Sequence, residues 1–144
     1  MKISTNSRYA LRFLARVAQS EKRLTTAQVA LMEDISEKML ERIAAKLVKE
    51  GFITSVKGSG GGYKLAMPGN EITVTSVLQT METPYLPHHC IENFADCAMK
   101  DGCTMLCLWE RIDNAIRSVT DEVTIADIMR GEKQKTAARR LGNR

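Results

Sequence analysis

No cysteine occurs in the first 89 residues of this 144-residue chain, and none follows residue 107. Histidine is nearly absent too: His88 and His89 are the only imidazoles. There is no carboxylate pair, no nucleophile beside a base and no G-x-x-x-x-G-K-S/T phosphate loop. The chain therefore lacks the constellations of acid–base, covalent and nucleotide-dependent catalysis, and an enzyme is not expected. Gly58-x-Gly60-x-x ends in Tyr63, so the dinucleotide fingerprint fails as well. No apolar run approaches the roughly 20 residues that cross a bilayer, so no membrane partner is expected. Met1 to Arg8 is polar and basic with no apolar segment after it, which predicts a cytoplasmic, reducing location.

The cysteines that are present are crowded. Cys90, Cys97, Cys103 and Cys107 lie in one short stretch. Thiolates hold iron–sulfur clusters and structural zinc ions. In a reducing compartment such a group points to a metal or redox site rather than to two disulfides. Inert buried thiols would have no reason to gather in one place.

Charge is segregated along the chain. Residues 1–80 carry twelve Lys/Arg against seven Asp/Glu, residues 81–130 four against nine, and residues 131–144 five against one. A basic N-terminal unit suits phosphate binding, although much surface charge is simply solvated.

Hydrophobic periodicity gives the order of elements. Residues 7–20 place Ala10, Phe13, Leu14 and Val17 on one helical face, with Arg8, Arg12 and Arg16 off it. Thr25 and Gln28 form a capping-box start for a short second helix. Ser36 caps a third helix running to about Glu50, where Gly51 stops it, with Leu40, Ile43, Ala44 and Leu47 as its buried stripe. The period then changes to two. FITSVK and YKLAM read as short strands joined by GSGGG. Thr73 to Glu82 reads as a further helix ending before Pro84, and residues 84–102 as a loop. Residues 104–119 form a strong helix on which Met105, Trp109, Ile112, Ile116 and Val119 recur at four, three, four and three. That seam suits pairing with a second copy's helix, or packing on its own domain. Thr124 and Asp127 start a terminal helix, and the basic tail 131–144 is expected to be disordered.

This order predicts a mainly α chain with a small β-hairpin wing: a winged helix-turn-helix over residues 1–82, a cysteine-rich loop over 83–103, and dimerisation and terminal helices over 104–130. In such a fold the third helix enters the major groove of double-stranded DNA. Its polar face here is Lys38, Glu41 and Arg42. The two cations can donate to guanine or phosphate. Glu41 either accepts from a cytosine amino group or serves a surface ion pair. In the wing, Lys57 can reach into a minor groove, while Ser59, Gly60, Gly61 and Tyr63 bring backbone and small groups close to phosphates. A flexible turn is the plainer reading of the same glycines.

The opening MKISTNSRYALR, the wing SVKGSGGGYKL, three spaced cysteines and the LWERID helix after them together resemble the Rrf2 family of bacterial transcription regulators. That family includes iron–sulfur and nitric-oxide sensors of the IscR and NsrR type. The resemblance covers about residues 1–130. It implies a homodimer crossing its long helices, a winged domain on each protomer, and a cluster whose loss changes operator affinity. It also implies base reading by Glu41 and Arg42, minor-groove entry by Lys57, and cluster ligation by Cys90, Cys97 and Cys103. The gap between Cys90 and Cys97 is one residue longer than usual.

The family's fourth ligand does not carry over. Its positions hold Leu106, Arg8 and Arg12, none of which binds iron. Cys107, four residues after Cys103, is the natural replacement if both thiols share one helix face. A buried helix cysteine is the alternative, with His88 and His89 as further candidate ligands. All-thiolate ligation is compatible with a 2Fe-2S or a 4Fe-4S cluster. The expected function is a DNA-binding repressor controlled by an iron–sulfur cluster. The alternative is a zinc-stapled or thiol-switched DNA-binding protein without one.

Overall fold

The computed structural model describes residues 3–82, 96–98 and 100–130. Cys90, His88, His89 and the basic tail lie outside these residues. The first helix, α1 (Thr5–Gln19), begins two residues earlier than its apolar pattern suggests. Ser4 takes the N-cap position, where its hydroxyl oxygen accepts from the Ser7 N–H at 3.1 Å. The predicted face of Ala10, Phe13, Leu14 and Val17 is buried.

Helix α2 (Thr26–Glu33) starts with the expected reciprocal cap. The Gln28 N–H donates to Thr25 Oγ1 at 3.2 Å, and the Thr25 N–H donates to Gln28 Oε1 at 2.9 Å. Asp34, with φ of 52°, turns the chain into α3 (Glu37–Lys49). Ser36 holds the N-cap position of α3 but makes no side-chain cap bond, so the expected cap is positional only. The far end closes as expected at Gly51. Its N–H donates to the Val48 carbonyl at 3.1 Å, and the Phe52 N–H donates to that of Leu47 at 2.9 Å. This two-bond arrangement needs a left-handed residue, and Gly51 supplies it with φ of 78°.

Strands β1 (Ile53–Val56) and β2 (Gly62–Leu65) pair antiparallel, with Ile53 opposite Leu65 and Val56 opposite Gly62. Gly62, expected in the loop, is the first residue of β2. A side chain there would place its Cβ 2.7 Å from the Leu24 carbonyl oxygen. The close approach exists because Leu24 and Tyr63 exchange backbone hydrogen bonds of 3.2 and 2.8 Å, adding the α1–α2 connection to the hairpin's edge.

Helix α4 (Val74–Met81) follows, capped by Thr73 and ending at Glu82. The carboxylate of Glu82 accepts from the Ser4 N–H at 2.7 Å and the Ser7 hydroxyl at 2.6 Å, so the end of α4 is tied to the start of α1. Within the cysteine segment lies a 3-10 turn at Lys100–Gly102, followed by α5 (Leu106–Thr120) and α6 (Ile125–Arg130). Helix α6 returns to pack on α1. Ile125 is fully buried, its N–H donates to the Ile72 carbonyl at 2.9 Å, and Gln19 donates to the Met129 carbonyl at 3.1 Å. The core is thus one cluster drawn from α1, α2, α3, β1, α4 and α6, with Phe13, Leu14, Leu40, Leu47 and Ile72 at its centre. Among the described residues no helix is long and apolar enough to cross a membrane.

Candidate functional site

The amphipathic pattern of α3 decides what it offers to a partner. Because Leu40, Ile43, Ala44 and Leu47 face the core, Lys38, Glu41 and Arg42 are held outward and exposed. None of the three takes part in an ion pair among the described residues. The surface-pair alternative for Glu41 is therefore not realised in the protomer. The three side chains stand free at the N-terminal half of a helix whose back is fixed.

The wing tip is built from backbone geometry. Gly58 and Gly60 have φ of 91° and 73°, and the Gly61 N–H closes the turn on the Gly58 carbonyl at 2.9 Å. At Gly61 an added Cβ would meet the Val56 carbonyl oxygen at 2.4 Å, so this turn does not accept a side chain there. Lys57, Gly58, Ser59 and Gly60 are all exposed. The flexible-turn alternative is narrowed by these features, since the loop is bonded and conformationally specified. Tyr63 has a structural role beside its expected one. Its ring makes an edge-to-face contact with Phe13, centroids 5.7 Å apart, which anchors β2 to the core.

Two carboxylates, the buried Glu33 and the half-buried Glu82, tie this unit together, and pattern reading misses both. Glu33 at the end of α2 accepts hydrogen bonds from Arg12 and Arg16 of α1. Burial raises its pKa, but the two guanidinium hydrogen bonds and charges outweigh that and hold the carboxyl below its ordinary range. Glu82 behaves alike: burial raises it, and the bonds from Ser7 and Ser4 bring it below the ordinary range. The partners of Glu33 lie 17 and 21 residues away and those of Glu82 75 and 78, beyond the reach of any local motif. Arg12, one of the family's ligand positions, is committed to Glu33; Arg8 donates to Thr5 at 3.2 Å.

The cysteine segment has a different character. Cys97 and Cys103 are half-buried, Cys107 is exposed, and all three are free thiols. Helix α5 begins at Leu106 rather than 104, with Met105 at the N-cap, so Cys103 lies outside the helix. The one-face argument for the Cys103–Cys107 pair therefore fails; only a turn of loop geometry, not helical spacing, could bring the two together. Among the described residues no three His, Cys, Asp or Glu side chains are gathered so as to hold a metal ion. The donor chemistry nonetheless suits a thiolate-held cluster. The first turn of α5 has no acidic residue and no side-chain cap, so its positive dipole end is unopposed beside Cys103 and Cys107.

The rest of α5 is under-packed. Asp113 is its only buried residue, with one oxygen bonded to Arg117 at 2.7 Å and Oδ1 buried without a hydrogen-bond partner among the described residues. Trp109, Ile112 and Ile116 of the expected seam are half-buried, while Met105 and Val119 are exposed. Leu108 joins them at 44% exposure, an apolar residue the four-three spacing leaves out.

Comparison with known proteins adds a frame to this geometry. Residues 3–131 match the Rrf2 family model, described as an iron-dependent transcriptional regulator. The chain is 34% identical over 132 residues to protein rrf2 of Nitratidesulfovibrio vulgaris, covering 90% of this chain and 88% of that one. The structure of CymR (YrzC), the global cysteine regulator of B. subtilis, superposes with a TM-score of 0.75 at 26% identity, covering 92% of this chain and 99% of that chain. T. potens IscR gives the same TM-score and identity, with 94% and 91% covered.

Proposed function

We propose, for a chain that belongs to the Rrf2 family of transcriptional regulators, a homodimeric DNA-binding repressor whose operator affinity is set by an iron–sulfur cluster. The observation that carries the DNA reading is the free, exposed trio Lys38, Glu41 and Arg42 on a helix locked from behind by four buried residues. Lys38 and Arg42 supply donors for guanine or phosphate, and Glu41 an acceptor for a cytosine amino group. Lys57, Ser59, Gly60 and Gly61 form the wing's contact with the flanking backbone, with Lys57 aimed at the minor groove.

In the proposed dimer the α5 seams face one another. The apolar surface left on Met105, Leu108, Trp109 and Val119 supports this, since such a stripe is stable in water only when covered. Cys90, Cys97 and Cys103 would hold the cluster, with Cys107 as fourth thiolate. The cluster would supply redox and nitric-oxide reactivity and a covalent tie across the segment. The protein's part is to convert the state of that segment into the placement of the winged domains. Glu82 stands at the junction, bonded to Ser4 and Ser7 of α1 on one side and leading into residue 83 on the other.

A second reading rests on the three free, partly accessible thiols and the equal likeness to the cysteine regulator CymR. In it the same cysteines act as a thiol–disulfide switch with no metal. One experiment separates the two and tests the whole. Genomic fragments captured by the purified chain would be sequenced, and affinity for the recovered sites measured with protein purified without oxygen, then after iron chelation or mild oxidation. Recovery of a common sequence whose affinity changes on chelation supports the cluster reading. A change on oxidation alone selects the thiol switch, and no enriched sequence refutes the DNA reading.

A further inference from the structure

A cleft of about 510 Å³ runs between the α1–α2 connection and the wing, and none of Lys38, Glu41 and Arg42 lines it. Its walls come from two distant stretches, residues 21–28 and 58–64, joined by the Leu24–Tyr63 backbone bonds. We propose that this cleft seats the phosphate backbone of DNA, so that Lys22, Arg23 and Lys64 extend the contact of the wing-tip glycines onto the α1–α2 connection, apart from the recognition helix. The inference rests on the DNA-binding reading and deepens it.

Three cations line the cleft, Lys22, Arg23 and Lys64, against one carboxylate, Glu21. None of the cations is spent on the fold: among the described residues they take part in no ion pair, whereas Arg12, Arg16, Arg117 and Arg130 all do. The polar groups between them are biased the same way. In the capping box Thr25 Oγ1 and Gln28 Oε1 both act as acceptors, for the Gln28 and Thr25 N–H groups. What each side chain has left to offer is a donor, a hydroxyl hydrogen and an amide NH₂. On the opposite wall the wing-tip glycines carry no side chain, so an anion can approach their backbone closely. Donors and cations on both walls select an anion.

The exposure of the lining selects a polymer. Glu21, Lys22, Arg23, Thr25, Gln28 and Lys64 are all exposed. A site for a small molecule buries most of its ligand against largely apolar walls. A phosphodiester backbone needs no such enclosure, because it is held elsewhere along the same duplex and contacts of this kind position rather than enclose. Contacts to phosphate are also indifferent to sequence, which gives the proposal a signature different from that of Glu41.

The test needs no operator. Binding of the full chain to a fluorescent random-sequence duplex is followed by anisotropy across a salt series. The variants are Lys22→Ala with Arg23→Ala, Lys64→Ala, Glu21→Gln, and Glu41→Ala for contrast. Each phosphate contact removed is expected to lower the slope of log affinity against log salt by about 0.9 in magnitude. The first two variants should show that loss on every duplex tested, Glu21→Gln should bind more tightly, and Glu41→Ala should keep its slope. Circular dichroism confirms folding, and Lys64→Glu, a larger change at the same exposed position, guards against a silent alanine. Wild-type slopes in the first two variants and in Lys64→Glu would overturn the proposal. So would inorganic phosphate alone raising the wild-type Tm while the slopes stay fixed, which would make the cleft a small-anion site. A wild-type chain that binds no duplex at low salt would instead remove the DNA-binding reading on which the proposal stands.

Discussion

Helices α3 and α5 are close in length and both amphipathic, yet they end up in opposite states. On α3 the stripe Leu40, Ile43, Ala44 and Leu47 is at most 3% exposed. On α5 the one buried residue is a carboxylate, while Met105 and Leu108 are each 44% exposed and Val119 51%. A sequence pattern says which face of a helix must be covered, not what covers it. For α3 the cover is α1 and the rest of the winged domain. For α5 the described residues supply α4, including a Thr75–Thr120 hydroxyl pair at 2.6 Å. The first 82 residues, closed by α6, thus cover their own apolar faces, whereas α5 keeps apolar side chains exposed.

The largest break in this comparison is expected from Phe13→Ala. Phe13 is fully buried and also carries the wing through Tyr63, so truncation should cost about 3–5 kcal/mol. Denaturant unfolding should show that loss at every protein concentration. Ile112→Asp probes the other region. It should leave the winged domain folded but convert the proposed dimer to monomer by sedimentation, and weaken binding to a two-half-site duplex by about 10²-fold or more. If Ile112→Asp remains dimeric and binds as before, α5 is not the seam.

A smaller effect sharpens how α1 and α2 are held. Glu33 has a folded pKa below its unfolded value, so its contribution to stability is present above the unfolded pKa of about 4.3. It is lost as pH falls through the lower folded pKa. Glu33→Gln should cost about 1–2 kcal/mol at neutral pH, because its arginine partners are nearly half exposed. The variant should also flatten the acid limb of the stability curve below about pH 5. A wild-type acid limb in Glu33→Gln would show that the clamp contributes nothing. Smallest in stability but largest in selectivity is Glu41→Ala. It should leave the unfolding free energy within about 0.5 kcal/mol of the wild type while reducing discrimination at one base pair by about 1–3 kcal/mol.

The legibility of the chain divides along the same line. The winged domain could be read because its signals are local: the Thr25–Gln28 box, the Gly51 stop, the period change after it. One of its small misses was local, the Ser4 cap that lengthens α1; the other, Gly62 at the head of β2, sits beside a bridge from Leu24 to Tyr63 that forms only in the fold. The clamp at Glu33, the tie from Glu82 and the cationic cleft could not be read, because each joins residues that meet only once the fold has formed. In the cysteine segment the residue types were plain, but the placement was not. The four-residue step from Cys103 to Cys107 suggested a shared helix face, and the late start of α5 at Leu106 removes it. Spacing constrains ligands only where the backbone between them is regular.

The measurement that tests the central proposal most directly is iron and acid-labile sulfide per protomer, with a visible spectrum, on protein made and purified without oxygen. The account predicts a brown protein with stoichiometric iron and sulfide, both lost in Cys97→Ser and Cys103→Ser. A colourless protein with its thiols free, or holding zinc instead, would contradict it.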